Sequence, residues 1–165
     1  MTTSATGAST SAVAALRADL DAIVALEGRI RAAQAEQLRL IGRAHGYAHA
    51  VEGVHDGSSS VQREFGTRSF LAELATALVL PEATAGALVA DAGTAARHPA
   101  SLAALAAGAI SLAQLRSIFE TLTGLPADAA ATLETAALER APHQTNAALR
   151  RRLRTLREAA PRTAG

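Results

Sequence analysis

The chain has 165 residues, the size of one domain, and 49% of them are apolar, enough to bury a core. The apolar residues are mostly Ala and Leu, which favour helices, whereas the residues that favour strands are scarce. The absence of Cys excludes disulfides, thiolate metal sites and Cys nucleophiles. The composition therefore predicts an all-α fold, a compact bundle of about six helices with little room for a large internal cavity.

The net charge of +1 conceals an uneven distribution, and every basic residue is Arg. Residues 140–165 carry seven Arg and one acid, a charge of +6, while residues 1–139 carry nine Arg and fourteen acids, a charge of −5. Such a division indicates either a polyanionic partner for the C-terminal segment or contact between that segment and the acidic body.

The N-terminal residues contain no basic segment followed by an apolar run, so a signal peptide is not predicted. We expect a disordered tail over 1–10, a single helical domain over 11–160 and a flexible end over 161–165. The uncharged stretch from His98 to Leu115 contains Pro, Gly and Ser, which favours a buried helix over a membrane span. We therefore expect a cytoplasmic protein with no membrane partner.

The first predicted helix runs from Ser11 to about Arg43, because apolar residues recur three and four positions apart. They are Val13, Leu16, Leu20 and Ile23, followed by Ile30, Leu38 and Ile41. An unbroken helix would be about 50 Å long, longer than a domain of this size is wide. Either Gly28 or Gly42 marks a kink, or one end projects towards a partner. Glu27, Gln34 and Gln37 lie at heptad positions that a coiled coil fills with apolar residues, which argues against a long coiled coil.

Turn-forming residues predict a flexible connection over 46–62, followed by a helix over 67–79. Pro81 is typical of the first position of a helix, which predicts a third helix as far as Arg97. A short helix over 100–107 then ends at Gly108, a residue suited to a left-handed C-terminal cap.

Ser111 and Gln114 form a capping box, which predicts the start of the next helix. Gly124 and Pro126 separate it from a helix over about 127–140. Thr145 is expected to cap the last helix, whose Leu residues face inward and whose Arg residues face outward. These inward residues are Leu149, Leu153 and Leu156.

Two segments, LPEATAGALVADAGTAARHPASLAALAAGAISLAQLRSIFETLTGLP and APHQTNAALRRRLR, resemble the bacterial family called domain of unknown function 222. The matching features are Pro81 at a helix start, the turn from Leu105 to Ser111, and the Gln144-Thr145 helix start. The resemblance covers about residues 65–157. It implies a helical module that family members carry before a C-terminal HNH nuclease domain.

This sequence departs from the family at two places. Ala109 occupies a position that is often basic in the family, and the chain stops at Gly165, where members usually continue towards the nuclease. An HNH centre needs a general-base His and metal ligands on a ββα element, and no His-Asn-His arrangement is readable here. The resemblance thus implies a non-catalytic module, with no catalytic residue, metal or cofactor in this chain.

The predicted helix, Gly turn and capped helix over residues 100–122 are similar to a helix-turn-helix. Base readout would require long polar side chains early on the second helix, and the candidates are Ser111, Gln114 and Arg116. The alternative, which we favour, is an ordinary αα-hairpin within the core.

The C-terminal helix carries the strongest electrostatic feature. At helical spacing Arg150, Arg154 and Arg157 line one side, with Arg151 nearby. Such a stripe can contact DNA phosphates without reading the sequence. The alternative is a solvated helix face whose Arg residues are favoured by the helix dipole.

His45, His49 and His55, with Glu52 and Asp56, form a possible metal-ligand cluster. A pair of His residues one helical turn apart suits zinc, but no Glu occupies the general-base position of an HExxH motif. A chance cluster is the favoured interpretation.

The leading functional hypothesis is binding of DNA phosphates through the basic C-terminal helix. The alternative is a protein-interaction or self-association scaffold that acts through the long first helix. A small metal-dependent nuclease is a third hypothesis, and no small-molecule substrate is predicted.

Overall fold

The computed structural model describes residues 4–55 and 57–159, with side chains from residue 11 onward. Over these residues the chain is all-α and without strands, as the composition predicts. In chain order the helices are α1 (Ser4–Val51), α2 (Ser60–Leu78), α3 (Glu82–Arg97), α4 (Pro99–Ala106), α5 (Leu112–Leu122), α6 (Ala127–Leu138) and α7 (Asn146–Ala159). A 3-10 turn, Ala141–His143, connects α6 to α7.

Helix α1 has 48 residues and is about 72 Å long at a rise of 1.5 Å per residue. It begins at Ser4, inside the segment 1–10 that was expected to be a tail, and it continues past Arg43 to Val51. Neither Gly28 nor Gly42 interrupts it. Of the predicted terminal segments, residues 1–3 and 161–165 lie outside the described residues.

The connection between α1 and α2 is shorter than the predicted 46–62, because both helices extend into that stretch. Helix α2 begins at Ser60 rather than near residue 67. Ser59 accepts a hydrogen bond from the Gln62 backbone N–H at 3.2 Å, and the Gln62 side chain accepts one from the Ser59 N–H at 3.0 Å. This capping box involves residues only three positions apart in the sequence, and it places the start of α2 earlier than predicted.

The core lies where α5 meets α3, α4, α6 and α7, and the C-terminal half of α1 packs against α2, α3 and α4. Its largest fully buried apolar side chains are Leu105, Ile110, Leu115, Ile118, Leu149 and Leu153. Leu149 and Leu153 face inward on α7, as predicted, and Leu156 packs at the edge of the core. Four of the five Arg residues of α7 are consequently exposed, and the fifth, Arg152, is half-buried.

The predicted caps at the α4–α5 turn and at α7 are confirmed. Ser111 and Gln114 exchange both hydrogen bonds of a capping box. Gly108 has a φ of +72°, the left-handed conformation expected for it. Thr145 accepts a hydrogen bond from the Ala148 backbone N–H at 3.3 Å.

The α4–α5 turn touches α1 at the point where α1 leaves the body of the domain. A Cβ atom added to Gly108 would lie 3.3 Å from the Gly28 Cα, so the two backbones are in close contact. Arg31 donates a hydrogen bond to the Gly108 carbonyl at 2.9 Å and pairs with Glu27 at 2.9 Å. These contacts mark the end of the part of α1 that is packed against the other helices.

Within the part of the chain that the structure describes, no single helix is both long and apolar enough to cross a membrane. Helices α2 and α3 together meet the length and composition for a span, but they are bent by 112° where they join.

Candidate interaction surfaces

Residues 11–27 of α1 project from the body as a single exposed stretch of helix. Residues 11–27 are all exposed, including large apolar side chains. We call four of these, Val13, Leu16, Leu20 and Ile23, the apolar seam. Each is between 50% and 61% exposed. They recur three and four positions apart, so they lie along one face of the helix.

The apolar seam continues the face by which α1 packs against the body. Leu20 lies in line with Leu38, and Ile23 with Ile41, because each pair is separated by about five complete turns of helix. Leu38 is 2% exposed and Ile41 is 5% exposed. One face of one helix is therefore covered by the body along its C-terminal half and left open along its N-terminal half.

Most of helix α5 is buried in the core, and only Ala113, Arg116 and Glu120 along it are exposed. Gln114, a predicted base contact, is 6% exposed, and its side-chain NH₂ donates to the carbonyls of Ala141 and Gln144 at 2.8 and 2.9 Å. The amide thus ties α5 to the segment before α7. The structure removes Gln114 from the candidate nucleic-acid contacts and favours the hairpin interpretation.

The other polar candidates on this helix are also engaged. Ser111 is the N-cap, and Arg116 pairs with Asp91 of α3 at 2.7 Å. Arg116 is exposed, but its charge is compensated by this neighbouring carboxylate. An anion that bound there would have to compete with Asp91.

Arg150, Arg154 and Arg157 do line one side of α7, as the spacing predicts. They border a shallow groove of about 490 Å³ against the C-terminal part of α5, which contributes Glu120 and Thr121. Arg151 is exposed but does not border this groove. Three of the predicted phosphate contacts are therefore together, and the fourth lies apart from them.

Arg157 has a structural partner at the end of α5. Its guanidinium donates to the carbonyls of Thr121 and Thr123, the latter at 3.0 Å. A cation near a helix C-terminus is favourable because the last carbonyls lack partners within the helix. Arg157 is thus less available to a phosphate than Arg150 and Arg154.

The His-rich segment splits into two parts. His45 and His49 converge on the Thr67 hydroxyl of α2, with Nε2–Oγ1 distances of 3.4 and 3.1 Å, and their ring centroids are 4.2 Å apart. Thr67 donates its own proton to the Arg63 carbonyl at 2.9 Å, so the two imidazoles act as donors. Burial lowers the pKa of His45 below its usual 6.5, and the nearby charge of His49 lowers it further.

His55 does not join this pair, since its Nδ1 accepts from the Gly57 backbone N–H at 3.1 Å. Among the described residues, which leave out Asp56, no group of three or more His, Cys, Asp or Glu side chains could hold a metal ion. His45 and His49 act as a contact between α1 and α2.

A buried polar cluster that sequence reasoning missed lies between α4 and α6. Glu134 is buried, and its carboxylate accepts from Ser101 Oγ at 2.6 Å, from the Ser101 N–H at 3.1 Å and from His98 Nδ1 at 3.0 Å. His98 and Glu134 also line a surface cavity of about 430 Å³. No local signal could have found it, because the partners are more than thirty positions apart in the sequence.

Comparison of the chain with family models, curated proteins and solved structures finds no significant match. The resemblance to the family called domain of unknown function 222 therefore stays a prediction.

Proposed function

We propose that this protein is an assembly module that self-associates through the projecting half of α1. The observation that carries the proposal is the apolar seam, four large side chains at least half exposed on a helix without intramolecular support over residues 11–27. An isolated helix of this length is marginal in water, because most helical stability in proteins comes from packing an amphipathic face. A partner that covers the seam would supply the missing packing.

The partner we propose is a second copy of the chain. Each copy presents the same exposed apolar seam, so two seams of equal length can cover each other. The seam and the body lie on the same side of α1, as the alignment of Leu20 with Leu38 shows. In a parallel pair the two bodies would occupy the same space between the helices. The two Glu27 residues, which lie near the seam, would also face each other, and their negative charges would repel. An antiparallel pair places the bodies at opposite ends, so this is the arrangement we propose.

The test compares the wild-type chain with the double variant Leu20→Glu, Ile23→Glu by analytical ultracentrifugation over a wide concentration range. We expect a wild-type dimer and a monomeric variant, because dimerisation would bury four carboxylates without partners. The double variant Ala18→Glu, Ala22→Glu is the matched control, since it adds the same two carboxylates to the opposite face of the same helix. A wild-type monomer at every concentration, or a dimer that the seam variant does not weaken, would contradict the proposal.

The orientation is tested with spin labels, which the absence of native Cys makes simple. Ala15→Cys and Arg29→Cys are labelled one at a time, and the distance between the two labels of a dimer is measured. A parallel pair gives similar short distances at both positions. An antiparallel pair gives a clearly longer distance at one position than at the other.

A second candidate function is binding of DNA phosphates through α7. The observation that favours it is the exposure of Arg150 and Arg154 on one side of a helix in a segment with a charge of +6. Contacts of this kind are independent of sequence and weaken as salt rises. Compensation of Arg116 by Asp91 and the role of Arg157 at the end of α5 reduce the number of arginines available.

Charge reversal of Arg150 and Arg154 is expected to weaken duplex binding and to flatten its dependence on salt. The matched control reverses Arg29 and Arg68, which are exposed on other helices and change the net charge equally. If the intact protein does not shift duplex DNA even at low salt, phosphate binding is wrong. Equal loss in both double variants would indicate a general effect of net charge.

A further inference from the structure

The cavity beside the buried Glu134 has the form of a small-molecule site. It lies between the C-terminal end of α3, the last turns of α5 and the first half of α6. Phe119, Leu122, Leu125 and Ala130 provide its apolar lining. Its volume of about 430 Å³ lies within the range usual for ligand sites, and its lining is about equally polar and apolar.

One wall of the cavity is an imidazole whose orientation is set by a carboxylate. Because an ionised carboxylate only accepts, His98 Nδ1 donates to Glu134 at 3.0 Å, and the ring is further packed at 5.8 Å from the Phe119 ring. The Nε2 atom is then the ring nitrogen left for a ligand. A carboxylate that fixes one nitrogen of a His is a common way to present the other.

The same cluster argues against a serine nucleophile. Ser101 Oγ bonds to Glu134 and not to a His nitrogen, and Ser101 is completely buried. A nucleophile has to reach its substrate, and the buried Ser101 hydroxyl does not. We therefore consider the cavity as a binding site and not as a catalytic one. Glu134 acts there as a positioning residue, because it fixes the orientation of the His98 ring.

The charges at the cavity select the ligand class. Arg97, at the end of α3, is exposed at the rim, and both Glu134 oxygens are already bonded within the protein. A cationic ligand would meet Arg97 without finding a free carboxylate. A ligand carboxylate, in contrast, can pair with the Arg97 guanidinium.

We propose that this cavity binds a small apolar molecule that carries one carboxylate. The apolar part lies against Phe119, Leu122 and Leu125, and the carboxylate pairs with Arg97 at the rim, next to His98. This site does not depend on self-association through α1, so it can be tested equally in the variant Leu20→Glu, Ile23→Glu.

The probe is 3-phenylpropionate, titrated into the full chain and followed by NMR of the His imidazole resonances. We expect a saturable shift of the His98 resonance, assigned with His98→Gln, and little change at the other four histidines. Arg97→Gln should weaken binding about tenfold or more, because it removes a charge-assisted hydrogen bond. Arg68→Gln, which removes the same charge from α2, should leave the affinity unchanged.

Two further measurements make the result decisive. The amide of 3-phenylpropionate should bind more weakly than the acid. The variant Ala131→Leu should abolish binding without unfolding the domain, because it places a larger side chain at the exposed cavity wall. The proposal is overturned by the absence of a His98 shift at millimolar probe. It is also overturned by equal affinity for acid and amide, or by binding that survives both Arg97→Gln and Ala131→Leu.

Discussion

Helix α5 and the projecting half of α1 carry the same kind of apolar pattern in opposite surroundings. On α5 the pattern is buried from Leu115 to Leu122, whereas on α1 the apolar seam is at least half exposed. Periodicity identifies the face that is suited to burial. What covers that face, another part of the chain or a second molecule, depends on where the other helices lie.

The largest expected contrast comes from truncating one Leu in each region. Leu115→Ala should lower the free energy of unfolding by about 2–5 kcal/mol, because it leaves a cavity in a closely packed core. Leu20→Ala should change it by about 0.5 kcal/mol or less at concentrations where the chain is monomeric. Urea denaturation at low protein concentration measures both. Similar losses in the two variants would mean that the seam is covered within one molecule.

The junction between the two halves of α1 can be tested at Gly108. Gly108→Ala should cost about 1–2 kcal/mol for its left-handed backbone, and more because the new methyl group would meet Gly28 at 3.3 Å. Gly124→Ala is the matched control, since Gly124 has a φ of +76° and open space around its Cβ position. Thermal denaturation should show a larger loss for Gly108→Ala. Equal losses would indicate that the close approach of Gly108 to Gly28 of α1 does not affect the stability of the fold.

The smallest expected effect concerns pH at the packed end of α1. The pKa of His45 is lowered in the folded chain, so above pH 6.5 neither state binds the proton and stability is unaffected. As pH falls below 6.5 the unfolded chain takes up the proton first, and the free energy of unfolding decreases towards the lowered pKa. Urea denaturation of wild type and His45→Gln across this range should show a weaker dependence in the variant. An identical dependence would mean that other groups account for it.

Local signals predicted much of the fold correctly. The capping box at Ser111 and Gln114, the left-handed Gly108 and the Thr145 cap depend on residues within a few positions of each other, so sequence alone could locate them. The error at the α1–α2 connection has a similar origin. The Gly and Ser residues there predict a longer connection, whereas the Ser59–Gln62 capping box starts α2 at Ser60.

The candidate sites were less predictable because they depend on contacts between distant segments. Gln114 has the chemistry of a base contact, yet its amide is used by the carbonyls of Ala141 and Gln144. Arg116 is compensated by Asp91, which lies on another helix. The pairing of His98 with Glu134 beside a cavity could not be read from either residue's neighbours.

The sequence by itself determined the helical class, most helix ends and the apolar face of each helix, because propensity, capping and periodicity act over a few residues. Only the tertiary structure decided that α5 is covered on most sides and that residues 11–27 of α1, about 25 Å of helix, are exposed. The physical reason is that burial depends on which faces meet across the whole chain. The other described helices cover only the C-terminal half of α1, and this leaves the apolar seam exposed.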